Sequence, residues 1–356
     1  MLKRLFICLI GIILLSGCSP KSTQEEIAFA SWGSVTEVGV LKQIINDFES
    51  ENPDIKIKFM HTPQNYFQKL HLLFASKSAP DVIFINNLYL PLYASQLENL
   101  TEYIDKNKFY PQSIEGLSYN NKLMAIPRDI SNLIFYVNKD IVQNGKFSTL
   151  EDLLKTTQIA FQKNVFGISF EEDMYWALPY LAYYNESFDE NFNVSRSKGL
   201  KFYKDLRDKY KVAPTKAQVG SSTLAQMFLD KKIAIYLSGR WMYPKISEKA
   251  NFDWGIAPFP IGSGYLPCDT SGWAISKDSV HKESAIKFIQ YLSSEKSSEY
   301  FLQTGLIVPA RIKTSQKLNK DFHNEKVFLE VITNSKATKT TKDYKKLSDK
   351  FNTSLR

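Results

Sequence analysis

The sequence predicts an α/β fold in two lobes, and three observations carry that expectation. Apolar strand-like segments alternate with amphipathic helix-like ones between Ile27 and Ile85. After Glu151 the chain turns more helical and aromatic-rich. At 356 residues it is also longer than one hydrophobic core usually fills.

The elements follow in order. "IAFASWG" predicts a buried first strand ending at Gly33. From Thr36 to Ser50, Val40, Leu41, Ile44, Ile45 and Phe48 recur at helical spacing, with Thr36 as cap and Asn52-Pro53 as stop. "DIKIKFM" then alternates strictly, completing a strand-helix-strand unit, the building block of a parallel sheet. A helix from Asn65 to Ser76, a break at Pro80 and the strand Val82 to Ile85 repeat the plan, which makes a doubly wound lobe the economical reading. "NNKLMAIPRDISNLIFYVNKDI" predicts a short hairpin strand, a polar loop, and an apolar strand Leu133 to Val137.

Beyond Glu151 come "MYWALPYLAYYNESF" and the charged helix Gly199 to Lys211. "AQMFLDKKIAIYLSGRW" and "FDWGIAPFP" are strands separated by a short helix. Gly262-Ser263-Gly264 breaks the pattern, and "SGWAISKDSVHKESAIKFIQYLSS" adds a strand and an amphipathic helix. The lysine-rich stretch Ser335 to Lys350 is expected as a solvated helix.

The first residues, "MLKRLFICLIGIILLSGCSP", combine Lys3 and Arg4, an apolar run from Leu5 to Leu15, and small residues before Cys18, as secretory signals do. That run is too short to span a bilayer. Leu15-Ser16-Gly17-Cys18 resembles the bacterial lipobox, in which the cysteine is lipidated and starts the mature chain. Residues 1–17 are then a signal peptide and 18–26 a lipidated polar tether, leaving Cys268 as the lone thiol with no intrachain disulfide available. The formal charge of +8 is spread as single lysines among acids, which is no nucleic-acid signature.

Five stretches, "APDVIFIN", "IPRDISNLIFYVNKD", "AQMFLDKKIAIYLSGRW", "TSGWAISKDSVHKESAIKFIQYL" and "GLIVPAR", together with the lipobox and in this order, resemble the extracellular solute-binding lipoproteins of sugar-importing ABC transporters. The likeness covers about Ile27 to Arg311. It implies the two-lobed periplasmic-binding-protein fold, with discontinuous lobes around a hinge and a ligand cleft. Lobe one would be 27–129 plus 267–311, and lobe two 130–266 plus 312–356. Ligand would sit at the carboxyl ends of the strands.

A sugar presents hydroxyls at its edge and C–H groups on its faces, so its receptor needs polar side chains beside flat aromatic surfaces. Trp32, at a strand end beside Gly33, is the first candidate, with Gln64, Asn65 and Tyr66 at the end of the second strand. The resemblance adds Asn86 and Asn87 after the third strand, and Asp129 as a hydroxyl acceptor with Arg128 as donor. It also adds Tyr175 and Trp176 for stacking, and Arg240 and Trp241 in "LSGRW". Ser271, Gly272 and Trp273 lie on the return strand. Asp81 and Tyr243 read as structural, and a core position competes for Trp273.

Catalysis is not expected: no G-x-S-x-G elbow, H-E-x-x-H or paired Cys/His spacing occurs, and carboxylate pairs such as Glu171 and Asp129 are too common to indicate a glycosidase. No cofactor or metal is expected. The partners expected are a small solute, chiefly a saccharide, and the permease of an ABC transporter, with the protein a lipid-anchored monomer on the outer face of the cell membrane. Glycerol phosphates or diesters and polyamines are the alternative solutes, and Arg128 with Arg240 leaves an anionic ligand open.

Overall fold

The computed structural model describes residues 24–143, 145–186, 192–318 and 325–355. Cys18, the signal 1–17 and most of the 18–26 tether lie outside the described residues.

Besides one two-stranded hairpin, the described residues build two larger sheets over two separate cores. Strand β1 (Glu25–Ser31) leads into the helix Val35–Glu51 and then β2 (Ile55–His61). Ser34, not the expected Thr36, caps that helix: its hydroxyl accepts from the Glu37 amide while the Glu37 carboxylate accepts from the Ser34 amide. The pattern is S-x-x-E, which closes two otherwise unpaired donors at once. The helix Tyr66–Ala75 then precedes β3 (Val82–Asn86). Of the expected apolar positions the first helix buries Leu41, Ile44, Ile45 and Phe48 and leaves Val40 half-buried; the second buries Tyr66 and Leu70.

A short hairpin, β4 (Ser118–Tyr119) and β5 (Lys122–Leu123), is followed by β6 (Ile126–Ser131) and β7 (Ile134–Asn138). Here the structure departs from the sequence reading, because "IPRDIS" is a strand within the sheet and not a polar loop. Its charges are tolerated inside because Arg128 and Asp129 pair with each other. The remaining strands are β8 (Phe166–Ile168), β9 (Ile233–Ser238), β10 (Trp254–Ala257), β11 (Leu266–Ile275), β12 (Val308–Pro309) and β13 (Ser335–Ala337).

The first sheet runs β12-β6-β11-β3-β1-β2, with β13 on β11, and the second β10-β7-β9-β8. Both are mixed. Among the described residues only β2-β1-β3 and the two marginal pairs β8-β9 and β11-β13 are parallel, because β6 and β11 return from elsewhere in the chain antiparallel to their neighbours. Phe29, Phe48, Phe84, Trp273 and Phe288 centre the first core; Tyr136, Tyr180, Phe228 and Trp254 centre the second.

The chain passes between sheets at 132–133 and again at 258–265, and the Asn132 amide donates to the Pro267 carbonyl at 2.7 Å, tying the two passages together. The C-terminal stretch is not a solvated tail. It adds β13 to β11, then forms the helix Tyr344–Ser354, which buries Tyr344, Ser348 and Phe351. Asn352 fixes that helix by accepting from the Met174 amide and donating to Asp173, both at 2.8 Å.

Candidate functional site

A cleft of about 700 Å³ opens between the two sheets. On the first-sheet side, Trp32 and Ser34 follow β1, Glu37 lies in the first turn of its helix, and Asn86 ends β3. Arg128 and Asp129 on β6, with Asp269 and Ser271 on β11, form the base. On the other side Trp241 follows β9, Asp173 and Tyr175 open the helix Met174–Tyr183, and Tyr344 and Ser348 come from the C-terminal helix.

Trp32 and Trp241 are 45% and 36% exposed, unlike most large apolar side chains, and both line this cleft. The turn that presents Trp241 depends on Gly239. A Cβ there would lie 1.9 Å from the indole ring, so only glycine lets the ring fold back over the backbone. Behind it, Trp176 packs edge-on against Trp241 at 6.2 Å between centroids.

Among the described residues the single cation lining the cleft is Arg128, and it is already neutralised. It donates to Asp129 at 2.5 Å and to Glu37 at 3.3 Å, and its guanidinium lies over Phe84, Trp273 and Phe301. Ser271 donates to the same Asp129 oxygen at 2.7 Å. Asp173 and Asp269 have no such cation among the described residues. Desolvation pushes the Asp269 carboxyl up to about 6, against hydrogen bonds from Thr338, Tyr175 and Asn87 that favour the ionised form. The cleft base is therefore rich in acceptors and poor in positive charge.

Several candidates sit elsewhere. Arg240 is 3% exposed and outside the cleft, paired with Glu325 and in contact with the rings of Tyr243 and Phe328. Tyr66 is buried, with its hydroxyl donating to the carbonyls of Phe84 and Ala30. Asn87 is a strut: its amide donates to the Thr338 carbonyl and its oxygen accepts from the Thr270 amide. Gly272 lies at the bulge of β11, where a Cβ would meet the Ile126 carbonyl at 2.3 Å, and Trp273 is wholly buried. Gln64 is exposed beside the cleft without lining it. Asp81 accepts from the Ala28 amide, and Tyr243 packs on Trp254, both as structural residues.

Glu37, Asp173, Asp269, Tyr344 and Ser348 line the cleft although the sequence reading does not place them there. For Glu37 the S-x-x-E capping pattern is the available signal, and for the C-terminal helix it is the spacing of Tyr344, Ser348 and Phe351. Nothing in the sequence marks Asp269.

The sequence pattern of the bacterial extracellular solute-binding proteins matches residues 32–299. The chain belongs to this family. Membership places its work outside the cytoplasm. A maltodextrin-binding protein of Bacillus subtilis is 26% identical over 353 residues, covering 90% of this chain and 84% of that protein. Among solved structures, an ABC substrate-binding protein from Listeria monocytogenes in complex with cycloalternan superposes with a TM-score of 0.81 at 22% identity, covering 93% of this chain and 92% of the other. The GacH receptor of Streptomyces glaucescens, solved unliganded and with acarbose, superposes with a TM-score of 0.79 at 22% identity, with the same coverages. These likenesses show the fold: this solute-binding protein has the two-lobed architecture, with the cleft between the lobes.

Proposed function

We propose that this solute-binding protein captures a neutral saccharide or oligosaccharide in the cleft and delivers it to the permease of an ABC importer. The observation that carries this reading is the placement of two partly exposed tryptophans, Trp32 and Trp241, on opposite sides of a cleft whose base offers carboxylates and hydroxyls. Flat rings suit the C–H faces of a sugar, and Asp129, Asp269 and Ser271 suit its hydroxyls. The cleft volume lies within the ~300–1,000 Å³ usual for small-molecule sites. The relatives named above, which bind maltodextrin, cycloalternan and acarbose, support the same class.

In this reading the lobes are 27–129 with 267–311 and 130–266 with 312–356. Sheet membership supports it except at β13, which bonds to the start of β11, and at Ile130, Ser131 and Leu266, the ends of first-sheet strands. Ligand bridging the lobes favours a closed form that the permease recognises. Binding, not turnover, is the activity. The "LSGC" ending at Cys18 supports a lipid anchor, so Cys18→Ser is expected to move the protein from the membrane pellet to the soluble fraction.

Anionic ligands lose their support, because Arg240 is outside the cleft and Arg128 already serves two carboxylates. The excess of acids instead favours a polycation such as a polyamine as the second reading. Thermal shift and titration calorimetry on the chain from Ser19 onward, against saccharides, glycerophosphodiesters and polyamines, decide between them, since a ligand of the folded state raises the melting temperature by mass action. Stabilisation by polyamines alone would overturn the saccharide reading.

A further inference from the structure

We propose that a groove beside the cleft is a second binding site and that it takes a long-chain carboxylate of the fatty-acid type, its tail along Phe67 and Leu72 and its head group at Lys342 and Lys346. The site is separate from the saccharide cleft and does not depend on what the cleft binds.

The groove measures about 580 Å³ and runs between the helix Tyr66–Ala75 and the C-terminal helix Tyr344–Ser354. Tyr89 divides it from the cleft, lining both spaces, with its ring stacked on Phe67 at 3.9 Å and 10°. Leu92 and Tyr93 continue the apolar lining, and the Tyr93 hydroxyl is already spent, donating to the Phe67 carbonyl at 2.9 Å. Leu72 belongs to the same lining and is 67% exposed. Apolar side chains gathered in a concave, solvent-open site, and not scattered singly over the surface, mark a place that receives something apolar. A volume within the ~300–1,000 Å³ of small-molecule sites suits a small ligand, not a membrane surface or a protein helix. Sugar hydroxyls would find few acceptors here.

The rim decides the head group. Lys342, Lys345 and Lys346 edge the groove from the C-terminal side, and His71 from the facing helix. Asp349 is the one acid in the lining among the described residues, and Lys345 holds it at 2.6 Å. Lys342 and Lys346 have no carboxylate within ion-pair distance among the described residues. Lysine stems lie along apolar surface while their ammonium groups stay in water. A carboxylate at this rim therefore meets two uncommitted cations without being buried, while its tail displaces water from the rings below. An apolar floor edged by uncommitted lysines is complementary to an amphiphile with one negative charge.

Titration calorimetry of the chain from Ser19 onward with octanoate, decanoate and dodecanoate, each below its micelle concentration, tests the proposal. Affinity is expected to rise about two- to fourfold per added methylene until the groove is filled. Decyltrimethylammonium is expected to bind about tenfold more weakly than decanoate, and Lys342→Glu combined with Lys346→Glu to lower decanoate affinity by about the same factor. Leu72→Asp should weaken decanoate as well, whereas Lys245→Glu, at an exposed lysine outside the groove, should leave it unchanged. Leu72, Lys342 and Lys346 are all exposed, so the variants should melt with the parent. Decanoate that does not bind, that binds no better than decyltrimethylammonium, or whose affinity is unmoved by the groove variants overturns the proposal. Co-sedimentation with phosphatidylglycerol vesicles that needs Lys342 and Lys346, without decanoate binding, overturns it in favour of a membrane contact.

Discussion

Arg240 and Glu325 meet at 2.7 Å with their side chains almost fully enclosed, one in the turn that follows β9 and the other at the N-cap of the helix Lys326–Thr333. Tyr243 and Phe328, themselves in edge-to-face contact at 6.0 Å, both lie against the guanidinium. This arrangement leaves Arg240 outside the cleft and makes it a fastening for the C-terminal part of the chain.

Glu325→Ala is therefore expected to lower unfolding stability by about 3–5 kcal/mol, because it strands a buried charge. Ligand affinity, measured where the variant is still folded, should stay within twofold. A large affinity loss without a stability loss would put Arg240 in the site after all. Chemical denaturation followed by calorimetry on the same sample reads both.

The tryptophans separate into two classes. Removing Trp32 or Trp241 should cost less stability, since each is only partly buried, yet each ring lost to the ligand is worth about 1.5–3 kcal/mol, or about 10- to 100-fold in affinity. Trp273→Ala should instead destabilise the fold by about 3–5 kcal/mol, as expected for a wholly enclosed ring in the first core. Parallel melting curves and titrations of the three variants check the division.

Tyr66→Phe isolates a hydrogen bond from a packing contact. Its hydroxyl joins β1 and β3 through the carbonyls of Ala30 and Phe84. Losing it should cost about 0.5–1.5 kcal/mol with no change in ligand affinity, which denaturation and titration can confirm.

Much of this is legible in the sequence where the forces are local. The β1-helix-β2 unit follows from apolar spacing alone, and Trp32 and Trp241 follow from their positions just after apolar strands. What is not legible depends on partners distant in sequence. "IPRDIS" reads as a loop because Arg128 and Asp129 look solvated, and nothing nearby shows that Glu37, 91 residues away, completes their neutralisation. Arg240 reads as a ligand donor for the same reason, its acid lying 85 residues downstream. The C-terminal helix reads as solvated because its lysines outweigh, in composition, three residues, Tyr344, Ser348 and Phe351, whose spacing matters more.

Cys268 tests the packing of β11. Its thiol is buried and pushed up to about 12 by desolvation, opposed by a hydrogen bond with Ser335. A thiol so placed is almost wholly protonated at neutral pH and unreactive. Labelling by a thiol reagent should track unfolding and slow further when ligand is present. Rapid labelling of the native protein would contradict this packing.

Asp269 should make stability depend on pH with a definite sign. Its carboxyl is raised from 3.8 to about 6 in the folded protein, so between those values the native state binds a proton that the unfolded chain has released. Stability contributed at this position is then present in full below about pH 4, falls as pH rises through 4 to 6, and is absent above. Every tenfold change in proton affinity between the folded and unfolded chain is worth about 1.4 kcal/mol, and partial solvent contact reduces the total to the order of 1–2 kcal/mol. Asp269→Asn carries no charge to desolvate and keeps the shape. It should be more stable than the parent at pH 8, by that amount, and no more stable at pH 4. Ligand should respond in the opposite sense, because a sugar hydroxyl donating to Asp269 favours the carboxylate: binding near pH 6 should release protons, read as a buffer-dependent binding enthalpy that Asp269→Asn abolishes. A stability difference that is flat from pH 4 to 8 would show that the carboxyl does not titrate in this range.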